Sequence, residues 1–305
     1  MKKDIPRILS HAKRNGVNDL LPLSGIDVRT NFEPEISCYG ALYSPSTGIL
    51  DSHSYMVSLL AEAEEHGATL ALNANVENIS VLNSRDIATA DGRISVHADG
   101  IILQCDNLIN CSGLYSGQTA SWIFDSVKEM NHNSSVFDKR KIQCSRQYFA
   151  KGNYFRLDGH KSPFEHLVYP IPEPGGLGIH ATVDLNGNTR FGPDVEWIDK
   201  DIQDPSTISL TVDPARAELF YTEVKKYWPL IQDGALVPDY SGVRPKRGHP
   251  DCLGSPSVSA DFHIEGFREH GVKGFVNLLG IESPGLTSSM AIAEMVVNLK
   301  QAQYL

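Results

Sequence analysis

The stretch most suggestive of chemistry is a glycine-rich loop near the end of the chain, within GFVNLLGIESPGLTSSMAIAEMVVNL. An apolar strand precedes the loop, and a helix is expected to follow, with Leu286, Thr287, Ser288 and Ser289 in its first turn. Such a unit directs free backbone N–H groups and the positive end of a helix dipole at one point, which suits phosphate or an electron-rich ring edge. An ordinary strand-to-helix turn has the same pattern, so the residues alone leave both interpretations open.

A second candidate is the basic segment DYSGVRPKRGHP. In an extended strand the side chains of Arg244 and Lys246 point to the same face, and Arg247 follows directly. A guanidinium in that position can bind a carboxylate through two parallel hydrogen bonds. The alternative is a basic edge strand that faces water.

Two aromatic side chains in apolar β segments are candidates for proton transfer. His180 lies in GLGIHATVD, where it alternates with Ile179 and Ala181, and Tyr169 lies in HLVYPIP. A strand histidine of this kind is either a general base or an ordinary core or surface residue. No serine-hydrolase elbow, HExxH helix, Walker A loop or EF-hand loop occurs in the sequence.

Mixed helices and strands are expected to position these residues. Alternating β-branched residues predict strands, with turns at Asp91-Gly92, Asp99-Gly100 and Asn186-Gly187. The predicted helices cover 5–15, 52–66 with Asp51 or Ser52 as its cap, 116–124, 213–228 and 286–299. The predicted strands lie in 38–50, 68–73, 76–113, 142–198, 236–246, 262–267 and 274–280, and 125–141 is predicted to be an irregular loop.

Length and charge narrow the class of protein. The 305 residues suggest roughly two domains. The net charge of −10 argues against nucleic acid or an anionic membrane surface as the main partner. No apolar run is long enough for a transmembrane segment. Five widely spaced cysteines without a C-x-x-C pair favour free thiols over a disulfide framework or a zinc site, so we expect no metal.

Several long blocks, taken together, resemble a known family. The blocks are ALYSPSTGILDSHSYMVSLLAEAEEHGA, LINCSGLYS, HLVYPIPEPGGLGIHATVDLNGNTRFGPDVEW and GVRPK with NLLGIESPGLTSSMAIAE. They resemble the FAD-dependent oxidoreductases of the D-amino-acid oxidase superfamily, especially the L-2-hydroxyglutarate dehydrogenase/oxidase group. The resemblance implies an α/β, two-domain fold with a truncated Rossmann-like FAD-binding domain and an antiparallel-sheet substrate domain. It assigns residues 1–50 and 136–255 to the substrate domain and residues 51–135 and 256–305 to the FAD-binding domain.

The resemblance also implies roles for individual residues. Arg244 would bind the α-carboxylate of the substrate and Lys246 its distal carboxylate. Tyr169 and His180 would line the re face of the flavin. His180 is one candidate for the base, and the histidine beside the flavin in the N-terminal segment of family members is an equal candidate. The implied contacts to FAD are Val76 at the adenine, Ser112 and Gly113 beside the cofactor, and Gly280, Ile281, Glu282, Gly285, Leu286 and Thr287 at the flavin ring and ribityl chain.

The reaction implied is the oxidation of a small 2-hydroxy acid, with L-2-hydroxyglutarate as the expected substrate, by hydride transfer to FAD. One alternative is an oxidase of amines such as glycine or sarcosine. Another is a non-catalytic, partner-binding remnant without FAD. The electron acceptor is not readable from the sequence, and location would follow the source: mitochondrial in a eukaryote, cytoplasmic in a bacterium.

One departure from the family concerns the start of the sequence. Family members begin with a βαβ unit that carries the FAD fingerprint, followed by a histidine beside the flavin, and neither precedes Met1 here. Strands next to such a unit would be left with unpaired edges. We therefore expect the 305-residue chain alone to fold poorly or to bind FAD weakly.

Overall fold

The computed structural model describes residues 4–81, 94–130, 146–159, 161–171, 178–252 and 261–301. Helices and sheets are distributed over two compact units. The first unit comprises Met1–Leu70, Gly152–Glu196 and Leu210–Gly242, and the second comprises Ala71–Lys151, Trp197–Ser209 and Val243–Leu305. The assignment of a substrate domain and a FAD-binding domain stays a prediction, because compactness does not identify a ligand.

The described residues form α-helices and strands that alternate irregularly along the chain. The helices are α1 (Asp4–Arg14), α2 (Gly25–Asn31), α3 (Ser52–Glu65), α4 (Ser116–Met130), α5 (Ala217–Val224), α6 (Phe267–His270) and α7 (Ser289–Gln301). The strands are β1 (Leu21–Ser24), β2 (Gly40–Tyr43), β3 (Val76–Val81), β4 (Ile94–Ala98), β5 (Ile101–Cys105), β6 (Leu108–Asn110), β7 (Tyr148–Leu157), β8 (His180–Val183), β9 (Thr189–Gly192), β10 (Glu196–Trp197), β11 (Leu236–Lys246), β12 (His263–Glu265) and β13 (Phe275–Leu279).

The strands pair mostly antiparallel. β1 pairs with β2, and β3, β4 and β5 form an antiparallel meander. A five-stranded sheet has the order β10-β7-β9-β8, with β11 also paired to β7. A three-stranded sheet has the order β12-β13-β6, and in it β13 and β6 run parallel. The mixed α/β fold class predicted from the sequence is confirmed.

Each unit has its own apolar core. In the first unit, Phe155, Phe191 and Phe220 are fully buried, and the ring of Trp228 stacks on Phe191 with centroids 6.0 Å apart. The core cluster of this unit also contains Ile179, which precedes β8. Apolar residues at alternating strand positions therefore build this core, as their spacing indicates.

In the second unit, helix α4 lies against the meander and against β13. Ile123 and Val127 of the helix are fully buried with Ile79, Ile94 and Phe275. Their i, i+4 spacing places the two helix residues on one face, which explains why the helix continues to Met130. The prediction of a helix ending at residue 124 and a loop from 125 is wrong in this part, and residues 131–145 lie outside the described residues.

Other local predictions are confirmed where capping or turn residues are strong. Asp51 accepts a hydrogen bond from Ser54 N at 3.0 Å and caps α3, as predicted. Asn186-Gly187 forms the turn between β8 and β9, and Asp99-Gly100 joins β4 to β5. Asp91-Gly92 lies outside the described residues.

Three element boundaries differ from the predictions. The strand expected at 68–73 does not form, and no strand of the described chain pairs with this segment. Helix α5 ends at Val224 rather than 228, because Tyr227 and Trp228 turn into the core and Pro229 disfavours helix in the residue before it. Helix α7 starts at Ser289 rather than 286, since the preceding residues form turns on Pro284.

Some apolar side chains remain at the surface. None of the residues of α3 is buried, and its Met56 and Val57 side chains are exposed. Ile101, Ile102 and Leu103 of β5 are also exposed. No helix in the described part of the chain is long and apolar enough to cross a membrane.

Candidate active site

The second unit brings two strand ends together. β13 and β6 are parallel, with Asn277 opposite Asn110, so both strands end at the same edge of the sheet. Gly280 follows β13 directly, and Ser112 and Gly113 follow β6. In open sheets, ligands bind in the crevice outside the carboxyl ends of parallel strands. The structure therefore places these three predicted cofactor residues at a position suited to ligand binding.

A buried polar network crosses the sheet below this edge. Asn110 donates from Nδ2 to Asn277 Oδ1 at 2.8 Å, and Asn277 donates to Glu265 Oε2 at 3.1 Å. Ser112 donates from its hydroxyl to Asn110 Oδ1 at 2.6 Å. Both asparagines are almost fully buried. Because each buried amide has partners, the network fixes the position of the Ser112 hydroxyl relative to both strands.

The outer end of this network carries charge. His263 Nε2 lies 2.6 Å from Glu265 Oε1. Burial raises the pKa of Glu265, but the hydrogen bonds and the charge of His263 outweigh burial and hold the pKa below its usual value. The lowered pKa favours the ionised form of Glu265, which offers both of its oxygens as acceptors to His263 and Asn277.

Gly280 has a backbone conformation and a contact that both require glycine. Its φ is +65°, in the left-handed region. A Cβ atom built on Gly280 would lie 2.9 Å from Cγ of Arg247. The aliphatic part of Arg247 is thus packed against the first residue of the loop.

The end of β11 holds the same loop through charge. Lys246 Nζ lies 2.7 Å from Glu282 Oε1, and both side chains are mostly shielded from water. Arg244, two residues earlier, lies on the same strand face as Lys246 and is partly buried. One predicted substrate residue, Lys246, is therefore in direct contact with the predicted cofactor loop within the second unit.

Helix α4, which begins just after Gly113, has a side-chain cap from a distant residue. Gln147 Oε1 accepts from the backbone N–H of Gly117 at 3.0 Å, and its amide donates to Gly113 O at 3.1 Å. This cap uses one of the free N–H groups at the helix start. It also ties the turn after β6 to the chain that enters β7.

Helix α7 supplies the other helix start at the loop. Ser288 N donates to Pro284 O, and the Thr287 hydroxyl donates to the same carbonyl at 3.0 Å. The first N–H groups of a helix lack partners within the helix and attract negative charge. Leu286 is 43% exposed beside this turn, so an apolar surface accompanies the polar helix start.

Tyr169 and His180 lie in the first unit. The backbones of Val168 and Ala181 are bridged by two hydrogen bonds of 2.9 Å. The rings of Tyr169 and His180, next to this bridge, have centroids 3.9 Å apart. The structure thus brings this predicted pair together.

A carboxylate–histidine pair in the first unit was not predicted. Glu33 is 4% exposed, and its Oε1 lies 2.9 Å from His166 Nδ1. The backbone N–H groups of Glu165 and His166 also donate to Oε1. The two partners are separated by 133 positions in the sequence, so no local spacing indicates their contact.

A family model for FAD-dependent oxidoreductases, DAO, matches residues 2–299. The chain belongs to this family. The resemblance inferred from the sequence blocks is therefore confirmed, and the match covers nearly all of both units of this DAO-family chain.

Individual proteins of known name are similar over most of the chain. The mitochondrial L-2-hydroxyglutarate dehydrogenase of Arabidopsis thaliana is 41% identical, over 97% of this chain and 63% of the relative. A glycerol 3-phosphate dehydrogenase of Caloramator mitchellensis is 26% identical, over 97% of this chain and 53% of the relative. The DAO-family chain thus spans about half to two thirds of the length of these relatives.

A solved structure gives the same fold. The dithionite-reduced, FAD-bound L-alpha-glycerophosphate oxidase from Mycoplasma pneumoniae superposes with a TM-score of 0.68 at 19% sequence identity. The match covers 99% of this chain and 71% of the solved one. At this identity the likeness concerns the fold of the DAO-family chain.

The residues at the strand edge fit the ring side of a flavin. Gly113 has φ +57° with no atom within 4 Å of a Cβ position, so its backbone is open to a close ligand. Gly280 and the Ser112 hydroxyl border the same edge, and α7 begins beyond the loop. A planar, electron-rich ring can bind against an open backbone that has an apolar surface beside it.

The predicted residues divide between the two units. Ser112, Gly113, Arg244, Lys246 and the loop from Gly280 to Thr287 belong to the second unit, whereas Tyr169 and His180 belong to the first. Val76 begins β3 of the second unit and pairs with Ala98 in the meander. Its contact with an adenine stays a prediction.

Proposed function

We propose that this protein takes part in the FAD-dependent oxidation of a small 2-hydroxy acid, with L-2-hydroxyglutarate as the substrate. The observation that carries the proposal is the contact between the basic end of β11 and the glycine loop, at Gly280 and Glu282. A cationic carboxylate-binding strand and a cofactor-binding edge are needed side by side in such an enzyme. The 41% identity to an L-2-hydroxyglutarate dehydrogenase supports the choice of substrate.

Several residues would hold the cofactor at this edge. When bound, FAD supplies the two-electron acceptor that oxidation of a C–OH group requires. Gly280 and Ser112 would border the ring, and the backbone of the loop would follow its polar side. The further residues proposed to contact FAD are Val76, Gly113, Ile281, Glu282, Gly285, Leu286 and Thr287.

The chain's own residues would bind and orient the substrate. Arg244 is proposed to hold the α-carboxylate through two parallel hydrogen bonds, which fixes the orientation of the neighbouring carbon. The proton of the substrate hydroxyl has to be taken up by a base, and His180 is proposed for this role, with Tyr169 beside it. Lys246 is paired with Glu282, so its first role is to hold the loop.

The visible absorption spectrum of the purified protein, before and after addition of FAD, tests the proposal. FAD should be taken up when it is added in excess, and the flavin bands should then bleach under anaerobic conditions with L-2-hydroxyglutarate. Glycine, sarcosine and glycerol 3-phosphate serve as control substrates. The proposed function is contradicted if the protein takes up no FAD. It is also contradicted if a control substrate reduces the flavin and L-2-hydroxyglutarate does not.

A further inference from the structure

Three cationic side chains lie at the end of β11, and their surroundings differ. Arg244 is the proposed site of the α-carboxylate, and Lys246 has Glu282 as its ion-pair partner at 2.7 Å. Arg247, the next residue, has no hydrogen bond or ion pair among the described residues. The three charges are therefore not equivalent, although the sequence places them within four positions.

Arg247 is held in place without its charge being balanced. Its residue is partly buried, and its Nε is fully buried with no hydrogen-bond partner. Its Cγ and Cδ lie against Gly280, where a Cβ would approach them to 2.9 and 3.2 Å. The side chain is thus positioned by packing of its stem, and the described residues supply no anionic partner for its guanidinium.

A buried N–H donor without an acceptor, as Nε of Arg247 is among the described residues, is unfavourable unless a ligand supplies an acceptor nearby. Of its three nitrogens only Nε is fully buried, so the terminal NH₂ groups are the part that a ligand can reach. They form a planar edge that matches a carboxylate. Because the stem touches Gly280, an anion bound there would lie next to the proposed cofactor edge.

We propose that Arg247 binds the distal carboxylate of a dicarboxylate 2-hydroxy acid and so determines the preference for dicarboxylate over monocarboxylate substrates. The inference rests on the proposed function and adds the residue that selects the substrate class. Arg244 then binds the carboxylate next to the reacting carbon, and Arg247 binds the one at the far end. Lys246 takes no part in this selection, since Glu282 already neutralises its charge.

The test compares two substrates that differ only at the far end, L-2-hydroxyglutarate and L-2-hydroxypentanoate, on the FAD-loaded protein. The variant R247Q should lower kcat/KM for the dicarboxylate about 100-fold, mainly through KM, and change the value for the monocarboxylate less than about threefold. R247K keeps the charge but not the planar edge, so its kcat/KM for the dicarboxylate should lie between the values for the wild type and R247Q. R268Q is the matched control, because Arg268 is an exposed arginine of the same unit.

Binding without turnover gives an independent readout. Calorimetry with glutarate and pentanoate should show that the wild type and R268Q prefer glutarate and that R247Q does not. If R247Q keeps the wild-type preference, Arg247 is not the selecting residue while the proposed function stands. If the wild type itself shows no preference in turnover or binding, the dicarboxylate function and the role of Arg247 both fail. An equal loss of kcat/KM for both substrates in R247Q would show that Arg247 has a structural role, and it would also overturn the inference.

Discussion

Lys246 Nζ and Glu282 Oε1, 36 positions apart in the sequence, lie 2.7 Å apart and join the end of β11 to the loop after β13. The two side chains are only 14% and 17% exposed. At this degree of burial, charged partners interact more strongly than on an open surface. The loop is therefore held by the basic strand through groups of the protein itself.

This ion pair should show strong coupling in a double-mutant cycle. K246M and E282Q should each lower the free energy of unfolding by about 1–3 kcal/mol, and the double variant should lose less than the sum. Urea denaturation measures the three values. Lys225 and Asp233 form a matched exposed pair at 2.8 Å, for which weaker coupling is expected because water screens both charges. Coupling at Lys246–Glu282 no larger than in this control would contradict the expectation.

Gly280→Ala should destabilise the protein through backbone conformation and through contact with Arg247. Gly234 has a similar φ of +85°, but no atom lies within 4 Å of its Cβ position. G234A therefore measures the conformational penalty alone, about 1–2 kcal/mol. In urea denaturation, G280A should lose more unfolding free energy than G234A. The Kd for FAD should rise in G280A and stay unchanged in G234A. Equal effects of the two variants would show that the contact with Arg247 is easily relieved.

The Asn110–Asn277 hydrogen bond should contribute to stability because both amides are buried. Asn277→Ala removes one hydrogen-bond partner each from Glu265 and Asn110. It should lower the free energy of unfolding by about 1–3 kcal/mol. Thermal denaturation of N277A, N110A and the double variant measures this cost. Additive losses in the double variant would show that the two side chains act independently.

Asp184 should make stability depend on acid pH. Backbone N–H groups, chiefly that of Asn188, outweigh burial and hold the pKa of Asp184 at about 2, below the ordinary 3.8. A lowered folded-state pKa stabilises the fold above pH of about 4, and this contribution is lost as pH falls through 2. The difference in unfolding free energy between wild type and D184N should therefore shrink from pH 5 to pH 2. A constant difference between wild type and D184N over this range would refute the assignment.

Arg244→Ala should weaken substrate binding because the α-carboxylate loses its partner. A loss of about 100-fold or more in kcat/KM is expected, with a sharp rise in KM. Steady-state kinetics of the FAD-loaded protein measures it. Arg244→Lys keeps the charge without the two parallel hydrogen bonds and should recover only part of the activity. An unchanged KM in R244A would remove Arg244 from the site.

Local sequence signals predicted a large part of the fold. Asp51 as a helix cap and Asn186-Gly187 as a hairpin turn act through neighbouring backbone groups, so their effect is readable from a few residues. The strand expected at 68–73 failed for the opposite reason: an extended segment needs a partner strand, and the sequence does not reveal which strand is adjacent. The predicted end of helix α4 at residue 124 is too early. The residues after 124 are mostly polar, so the sequence does not show that Val127 is buried.

The candidate site was predictable in its residue types but not in its contacts. Gly280 and Arg244 stood out because glycine loops and arginine strands have known chemistry. The pairing of Lys246 with Glu282, and the cap that Gln147 provides for α4, depend on residues that are 36 and 30 positions apart. Such contacts are set by the tertiary fold, so the role of a charged side chain could not be deduced from its position in the strand.

The alternation of the chain between two units also bears on how the protein is synthesised. The core around Ile94 and Ile123 includes Phe275, which a ribosome adds about 150 residues later at 5–20 residues per second. The core that the meander and α4 begin to form is therefore completed only after Phe275 has been added. Contacts of such long sequence separation slow folding.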